Sequence, residues 1–279
     1  MDRAVLAPLA MARSSFAPGP AAVAGRARGT MWTLDGRTFD APAFPLGIGP
    51  ACELTTTMLD LGRFLSALFA GGRGPNGRVL EPATLDAMWG VQFAGPAAST
   101  GYGIGFAISR LEGRQRIGHS GWHYGFATEV AALPRERLGV AVSTTADAAN
   151  AVTERIADEA LRLLLAAREG RPLPATPATA PLPAQARRAL AGRYRSAARA
   201  VELTERDSAL WFQDLEGGMP APLRLLGDTL VVDGRLAFGE RLLRGPDLLV
   251  AGGDTLRRVA ERRPAAAPER WRGLVGEYG

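Results

Sequence analysis

The stretch Gly118-His119-Ser120-Gly121-Trp122-His123-Tyr124-Gly125-Phe126 contains both histidines of the chain and places a serine directly after the first. A nucleophile elbow needs glycine two residues after its serine, but Trp122 stands there, and the residues that follow predict another strand instead of a helix. Two histidines four residues apart, without cysteines, also supply too few ligands for zinc. We therefore expect no metal and no cofactor. The spacing fits equally well a functional strand and a strand edge whose imidazoles are simply hydrogen-bonded.

The residues on either side of this stretch predict more strands and then a helix. Strand-like runs lie around 115–118 and over 126–133 and 138–144, separated by glycine-rich and Pro-Arg-Glu-Arg turns. A helix is predicted over 148–168, with Asp147 as its candidate cap. Its predicted apolar face consists of Val152, Ile156, Ala160, Leu163 and Leu164.

Two amphipathic helices are predicted before the strands. The first starts at the capping-box-like Thr57-Met58-Leu59-Asp60 and ends at Gly71-Gly72. Its apolar residues recur at helical spacing and are Leu61, Phe64, Leu65, Leu68 and Phe69. The second begins with Pro82 at its first position and carries Leu85, Met88 and Trp89. Helices mixed with strands predict an α/β (α+β) domain over 1–168.

The last third of the chain has a different pattern. Residues 169–185 are rich in proline and alanine and predict an extended linker. Short strand signals with intervening turns then recur over 186–271, which predicts an all-β module, a small barrel or sandwich. The module opens with Leu190-Ala191-Gly192-Arg193-Tyr194, and a similar string ends the chain at 274–278. We interpret 272–279 as the start of a truncated second module, with chance recurrence as the alternative.

The composition excludes several chemistries. All 33 basic residues are arginine, so the chain can form no Schiff base, no lysine-containing phosphate loop and no Ser-x-x-Lys motif. The net charge is +5, but acidic and basic residues are interspersed, which indicates a solvated surface and no nucleic-acid partner. Cys52 is the only cysteine, which excludes an intrachain disulfide and is more typical of packing than of a nucleophile.

No membrane segment is expected, because no apolar run approaches the roughly 18 residues of a membrane span. The start of the chain superficially resembles a signal peptide, with Ala10-Met11-Ala12 as a cleavage site. Asp2 and Pro8 argue against that interpretation, since one puts a negative charge in the leading region and the other interrupts a weakly apolar stretch. Localisation is therefore left open.

Several segments, in the same order, resemble the β-lactamase-related serine hydrolases, which include class C β-lactamases, penicillin-binding DD-peptidases and esterases. They are 57–72, 77–89, Tyr102-Gly103-Ile104-Gly105-Phe106, and 118–126 with the strands and helix that follow. Residues 8–16 also resemble an interior Pro-Leu-Gly-Met-x-x-Thr-x-Phe segment of those domains. The resemblance covers about residues 1–168 and only the second half of the family's domain. It implies a partial transpeptidase-like domain, with an antiparallel sheet and flanking helices.

The resemblance also implies an active site, of which one part is present. The family uses a Ser-x-x-Lys box, a Tyr-x-Asn box and a Lys-Thr-Gly or His-x-Gly box, and only the third is found, as His119-Ser120-Gly121. It implies that His119 and Ser120 face a small-molecule or peptide substrate and that Gly121 permits close backbone approach. The backbone N–H of Trp122 would be the second donor of an oxyanion hole.

These observations lead to three hypotheses. The first is a fragment of a serine hydrolase that cleaves an amide, a β-lactam or an ester, and that is inactive alone because two boxes are missing. The second is a non-catalytic protein that binds a peptide or acyl ligand along the 114–122 strand. The third makes the β module a ligand-binding barrel. The family is commonly exported, but neither localisation nor oligomeric state follows from the sequence.

Overall fold

A computed structural model describes residues 1–17, 19–33, 37–44, 47–95, 98–175, 178–217, 220–235, 237–245, 247–260 and 268–274. Contacts within the chain divide it into two compact units. The first unit contains Met1–Pro177 and Gly234–Phe238, and the second contains Ala178–Asp233 and Gly239–Gly279. The mixed α/β architecture with antiparallel sheets is confirmed. No helix among the described residues is long and apolar enough to cross a membrane.

The first unit opens with a π-helical turn, Asp2–Leu6, and combines short helices with hairpins and one larger sheet. Its helices are α1 (Pro20–Ala24), α2 (Gly49–Cys52), α3 (Met58–Phe69), α4 (Pro82–Met88) and α5 (Asn150–Arg168). Its small hairpins pair β1 (Thr30–Trp32) with β2 (Thr38–Asp40), and β3 (Arg73–Gly74) with β4 (Gly77–Arg78). The larger sheet contains β5 (Gly101–Tyr102), β6 (Ala107–Leu111), β7 (Arg114–His123), β8 (Phe126–Leu133) and β9 (Leu138–Thr144).

The five-stranded sheet is antiparallel throughout and buries a core on each face. Its strands follow chain order, from β5 at one edge to β9 at the other. One core joins Leu65 and Leu68 of α3 to Ile117 of β7. The other joins Leu161 and Leu165 of α5 to β8 and β9. Because side chains alternate along a strand, β7 presents odd-numbered residues to the α3 side and even-numbered residues to the α5 side.

Helix α3 begins where the capping residue predicts. Thr57 is its N-cap, and its side-chain oxygen accepts a hydrogen bond from the Asp60 backbone N–H at 3.2 Å. The Asp60 carboxylate does not complete a capping box. It is fully buried and instead accepts hydrogen bonds from the Arg13 backbone N–H, the Ser14 hydroxyl and the Arg63 guanidinium. The helix is therefore tied to the segment near residue 14.

The prediction for α5 was correct in kind but wrong in two details. Asp147 is not the cap, because the helix starts at Asn150 with Ala149 as its N-cap and no capping side chain. The buried face is also out of phase by one residue and consists of Thr153, Ala157, Leu161, Leu165 and Ala166. The predicted face is largely exposed instead, with Ile156 at 50%. The small side chain of Ala157 packs in the same cluster as the small Ala131 of β8, which lets helix and sheet approach closely.

The second unit contains a closed eight-stranded antiparallel barrel, one of the two predicted architectures. Helix α6 (Ala184–Leu190) precedes it, and a 3₁₀ helix, Glu269–Leu274, follows it. The strands are β10 (Gly192–Arg195), β11 (Ala200–Arg206), β12 (Ala209–Asp214), β13 (Ala221–Leu226), β14 (Thr229–Asp233), β15 (Phe238–Arg244), β16 (Leu248–Ala251) and β17 (Asp254–Val259). Buried side chains occupy alternate positions along β11, β12 and β16, as in small barrels filled by side chains, and Leu203, Leu210 and Leu249 are among them.

The Leu-x-Gly-x-Tyr string at 190–194 closes a turn between α6 and the barrel. Tyr194 is buried, and its hydroxyl donates to the Leu190 carbonyl at 2.8 Å while it accepts from Arg258. The string thus joins the helix end to the first strand. The similar string at 274–278 was predicted to begin a second module over 272–279. Its residues 275–278 lie outside the described residues, so that interpretation stays a prediction.

Candidate functional site

The predicted site residues lie on the half of β7 that is paired on one side only. Strand β6 pairs with Arg114–Gly118, whereas β8 pairs with the strand from Ile117 to His123. Among the described residues, no strand pairs with 119–123 on the β6 side. The side chains of His119, Ser120 and Trp122 are exposed. The structure therefore places the four predicted residues along one accessible strand edge. By the alternation of the strand, the side chains of Ser120 and Trp122 lie on the α5 side of the sheet and that of His119 on the α3 side.

The His119 imidazole is oriented by its own neighbour. Its Nδ1 lies 2.6 Å from the carbonyl oxygen of Ser120. A carbonyl oxygen can only accept, so Nδ1 carries the proton in this arrangement. In the neutral ring, Nε2 is then left as a proton acceptor on an exposed side chain. This arrangement allows His119 to hold or accept a proton from a bound group.

Two glycines of the stretch are required by their neighbours. A Cβ at Gly121 would overlap Oγ1 of Thr128, its partner on β8. A Cβ at Gly118 would lie 2.8 Å from the Val130 carbonyl oxygen and 2.9 Å from Nη1 of Arg116. The Gly121 carbonyl also accepts a hydrogen bond from the Asn150 side chain at 3.0 Å. The glycines therefore have a packing role, and the role of Gly121 in substrate approach stays a prediction.

A buried ion network lies on the α5 side of the sheet, next to the site strand. The Arg116 guanidinium contacts Glu129 at 2.9 Å and Asp158 of α5 at 2.7 Å. Glu129 is the cross-strand partner of Ser120. Burial raises the pKa of the Glu129 carboxyl, and the nearby Arg116 charge offsets only part of that rise. Burial opposes the Arg116 charge, but Asp158 and Glu129 raise the pKa of its guanidinium overall.

An exposed group of aromatic rings adjoins the same strand, and we call Phe44, Trp122 and Tyr124 the aromatic cluster. The Trp122 indole N–H donates to Oδ1 of Asp147 at 3.1 Å, and that oxygen also accepts from the Gly125 backbone N–H at 2.9 Å. The Tyr124 ring lies 5.5 Å from Trp122 and 5.3 Å from Phe44, centroid to centroid. Of these residues, only Trp122 was predicted for the site. No spacing in the sequence indicates that Phe44 lies near this strand, because its contact with Tyr124 depends on the fold.

The second histidine, His123, is the last residue of β7 and pairs with Phe126 across the turn. His123 packs edge-on against Tyr124 at 5.9 Å, and its buried Nδ1 has no hydrogen-bond partner among the described residues. No group of three or more His, Cys, Asp or Glu side chains among those residues could hold a metal ion.

Comparisons with known proteins identify a matching family model and similar solved structures. The family model described as Beta-lactamase matches residues 1–167. A solved octameric penicillin-binding protein homologue from Pyrococcus abyssi is 21% identical, with a TM-score of 0.53, and the match covers 91% of this chain and 58% of that one. A D-amino acid amidase from Ochrobactrum anthropi SV3 is 23% identical, with a TM-score of 0.47, and the match covers 61% of this chain and 50% of that one. The comparison with curated proteins found no match. The chain thus spans less than two thirds of the length of these two solved structures.

Proposed function

The chain belongs to the beta-lactamase family, as the family resemblance of its sequence predicts, and we propose that β7 forms one wall of an acyl-transfer site. The observation that carries this proposal is the one-sided pairing of the strand at His119–Trp122. An unpaired strand edge presents backbone N–H and C=O groups that an extended acyl chain can pair with. The substrate class we propose is an amide, a β-lactam or an ester, in a small molecule or a peptide.

The roles that we assign to the wall follow from its atoms. The backbone N–H of Trp122 donates to the oxyanion that forms when the substrate carbonyl is attacked. The His119 imidazole holds a proton at Nδ1 and accepts one at Nε2, which suits a group that orients substrate and moves protons. The exposed Ser120 hydroxyl can donate to the substrate or accept from it.

We further propose that this wall does not hydrolyse substrate by itself. The sequence contains no lysine and no tyrosine followed two residues later by asparagine, so neither of the other two boxes is present. Loss of a nucleophile and its base typically lowers turnover by about 10⁶, and part of an oxyanion hole restores little of it. The chain then represents a fragment of the complete catalytic arrangement, and a polypeptide that carries the other two boxes has to supply the nucleophile.

Hydrolysis assays test this proposal directly. The chain alone, given a chromogenic cephalosporin or a nitrophenyl ester, is expected to show no turnover above buffer. Combined with a polypeptide from another family member that carries Ser-x-x-Lys and Tyr-x-Asn, it is expected to gain turnover, which His119→Ala then lowers. Ser143→Ala, at an exposed serine of β9, is the matched control. Turnover by the chain alone that Ser120→Ala abolishes and Ser143→Ala preserves would overturn the proposal.

The absence of lysine also favours a second candidate, a non-catalytic protein that binds a peptide or acyl ligand along β7. The two candidates differ in the combination experiment. If the combined polypeptides stay inactive while the chain alone binds an acylated peptide at residues 119–122, the binding protein is the better description. Backbone amide shifts in an NMR titration would report that binding.

A further inference from the structure

The side chains of the aromatic cluster have no part in the acyl chemistry proposed above, which uses only the backbone N–H of Trp122. Phe44 and Trp122 are 46% and 49% exposed, and the ring of Tyr124 contacts both. Their centroid separations of 5.3 and 5.5 Å fall within the range of favourable aromatic pairs. Three touching rings, two of them half-exposed, form an apolar surface larger than scattered single side chains provide.

The cluster is held in place by specific contacts. Asp147 accepts hydrogen bonds from both the Trp122 indole and the Gly125 backbone N–H, so one carboxylate oxygen fixes the ring and the turn beside Tyr124. Gly125 has a positive φ of 76°, and a Cβ there would lie 2.7 Å from the Cα of Gly29. The Ala41 backbone N–H donates to the Gly29 carbonyl at 2.9 Å. The segment that leads to Phe44 is therefore anchored against the turn.

The chemistry of this surface suits an apolar ring. The indole N–H of Trp122 already donates to Asp147, so the ring offers a ligand only its faces and edges. Aromatic side chains bind other rings in offset or edge-to-face arrangements. Trp122 also follows Gly121 directly, and one residue of a strand spans about 3.3 Å. A group bound on the cluster thus lies next to the strand edge where the acyl carbon is placed.

We propose that the aromatic cluster is a subsite for an aromatic or large apolar acyl group of the ligand. The inference rests on the proposed function, because that function places the acyl carbon at the edge formed by Gly121 and Trp122. The cluster would then select among substrates by the group attached to their acyl carbon, while the edge of β7 binds the carbonyl oxygen.

Two neutral probes that differ only in a phenyl ring test the subsite on the full chain. N-phenylacetylglycinamide and N-acetylglycinamide are titrated in NMR experiments that follow the backbone amides of 120–122 and the Trp122 indole N–H, assigned with Trp122→Phe. The phenylacetyl probe is expected to bind about tenfold more tightly, which equals about 1.4 kcal/mol and lies within the range of aromatic pairs. Phe44→Ala should reduce this preference to about threefold or less, because one ring of the cluster is removed.

Phe93→Ala serves as the matched control, since Phe93 is a fully exposed phenylalanine outside the cluster. It should leave the preference unchanged. Equal binding of both probes, an unchanged preference in Phe44→Ala, phenylacetyl binding without shifts at 120–122, or binding of neither probe would each overturn the subsite. None of these outcomes decides the proposed function, because turnover of the combined polypeptides tests that function separately.

Discussion

The buried ion pair between Arg116 and Glu129 leads to a sharp stability prediction. Both side chains are almost entirely buried, so Arg116→Met leaves a carboxylate in the core without its nearest positive charge. Breaking a buried pair from one side typically costs about 3–5 kcal/mol of unfolding free energy. The loss should be measured by urea unfolding with tryptophan fluorescence, in a Trp211→Phe, Trp271→Phe background. The remaining tryptophans then all lie in the first unit.

The predicted loss depends on pH in a defined direction. Burial already raises the pKa of the Glu129 carboxyl, and removal of Arg116 takes away the charge that opposes this rise. A carboxyl with a raised folded-state pKa favours the folded state below its unfolded pKa, and this contribution disappears as the pH rises through the folded pKa. Arg116→Met should therefore be most destabilising at neutral pH and recover part of its stability toward pH 4.

Two further variants make the test decisive. The double variant Arg116→Met, Glu129→Leu removes both charges and should recover most of the loss, since apolar replacement of a buried pair is often neutral. Arg162→Met removes one partner of a more exposed pair with Glu159 and should cost at most about 1 kcal/mol. A loss in Arg116→Met no larger than in Arg162→Met, with no dependence on pH, would refute the reasoning.

Three other predictions follow from the same unit. Asp147→Ala removes the acceptor of the buried Gly125 N–H and of the half-exposed Trp122 indole. It should lower the unfolding free energy by about 1–2 kcal/mol in urea titrations, with a shifted Trp122 indole resonance; an unchanged resonance would contradict it. Gly121→Ala should lower the unfolding free energy by about 1–3 kcal/mol, because the added Cβ overlaps Thr128. If the overlap is the cause, adding Thr128→Ala to this variant should restore stability. In the same titrations, Leu161→Ala should lower the unfolding free energy by about 2–5 kcal/mol and Leu164→Ala by far less. Equal losses would contradict the buried face assigned to α5.

The sequence allowed much of the fold to be predicted, where local signals agree with each other. Helix α3 has a capping threonine, a single apolar face and a glycine stop, and all three place it correctly. The strands after Gly125 were placed by their apolar runs and turns. Strand β7, in contrast, runs from Arg114 to His123, well past the run predicted around 115–118. Its second half is polar and glycine-rich, so it carries no strand periodicity.

Other features depend on contacts between distant residues and could not be read from local patterns. The face of α5 is ambiguous in sequence because leucines occupy 161, 163, 164 and 165, and the sheet decides which of them are buried. Asp147 looks like a cap because it precedes a helix, yet its carboxylate holds Trp122 and Gly125. Phe44 contacts Tyr124 at the end of a segment that is anchored where Gly29 approaches Gly125, and no local motif encodes that approach.

Packing in the fold explains some residues in and beside the His-Ser-Gly box but not others. Gly121 of the box and Gly118 just before it are explained by packing alone. A Cβ at Gly121 would overlap Thr128, and a Cβ at Gly118 would crowd the Val130 carbonyl and Arg116. Among the described residues, nothing forms a hydrogen bond with the exposed Ser120 hydroxyl, and His119 bonds only to the adjacent carbonyl. The fold thus accounts for the glycines without any ligand, whereas it makes no comparable demand for the histidine and the serine. Variants of His119 and Ser120 should therefore leave the unfolding free energy within about 0.5 kcal/mol, as expected of surface positions, so any effect they have on ligand binding reports on function.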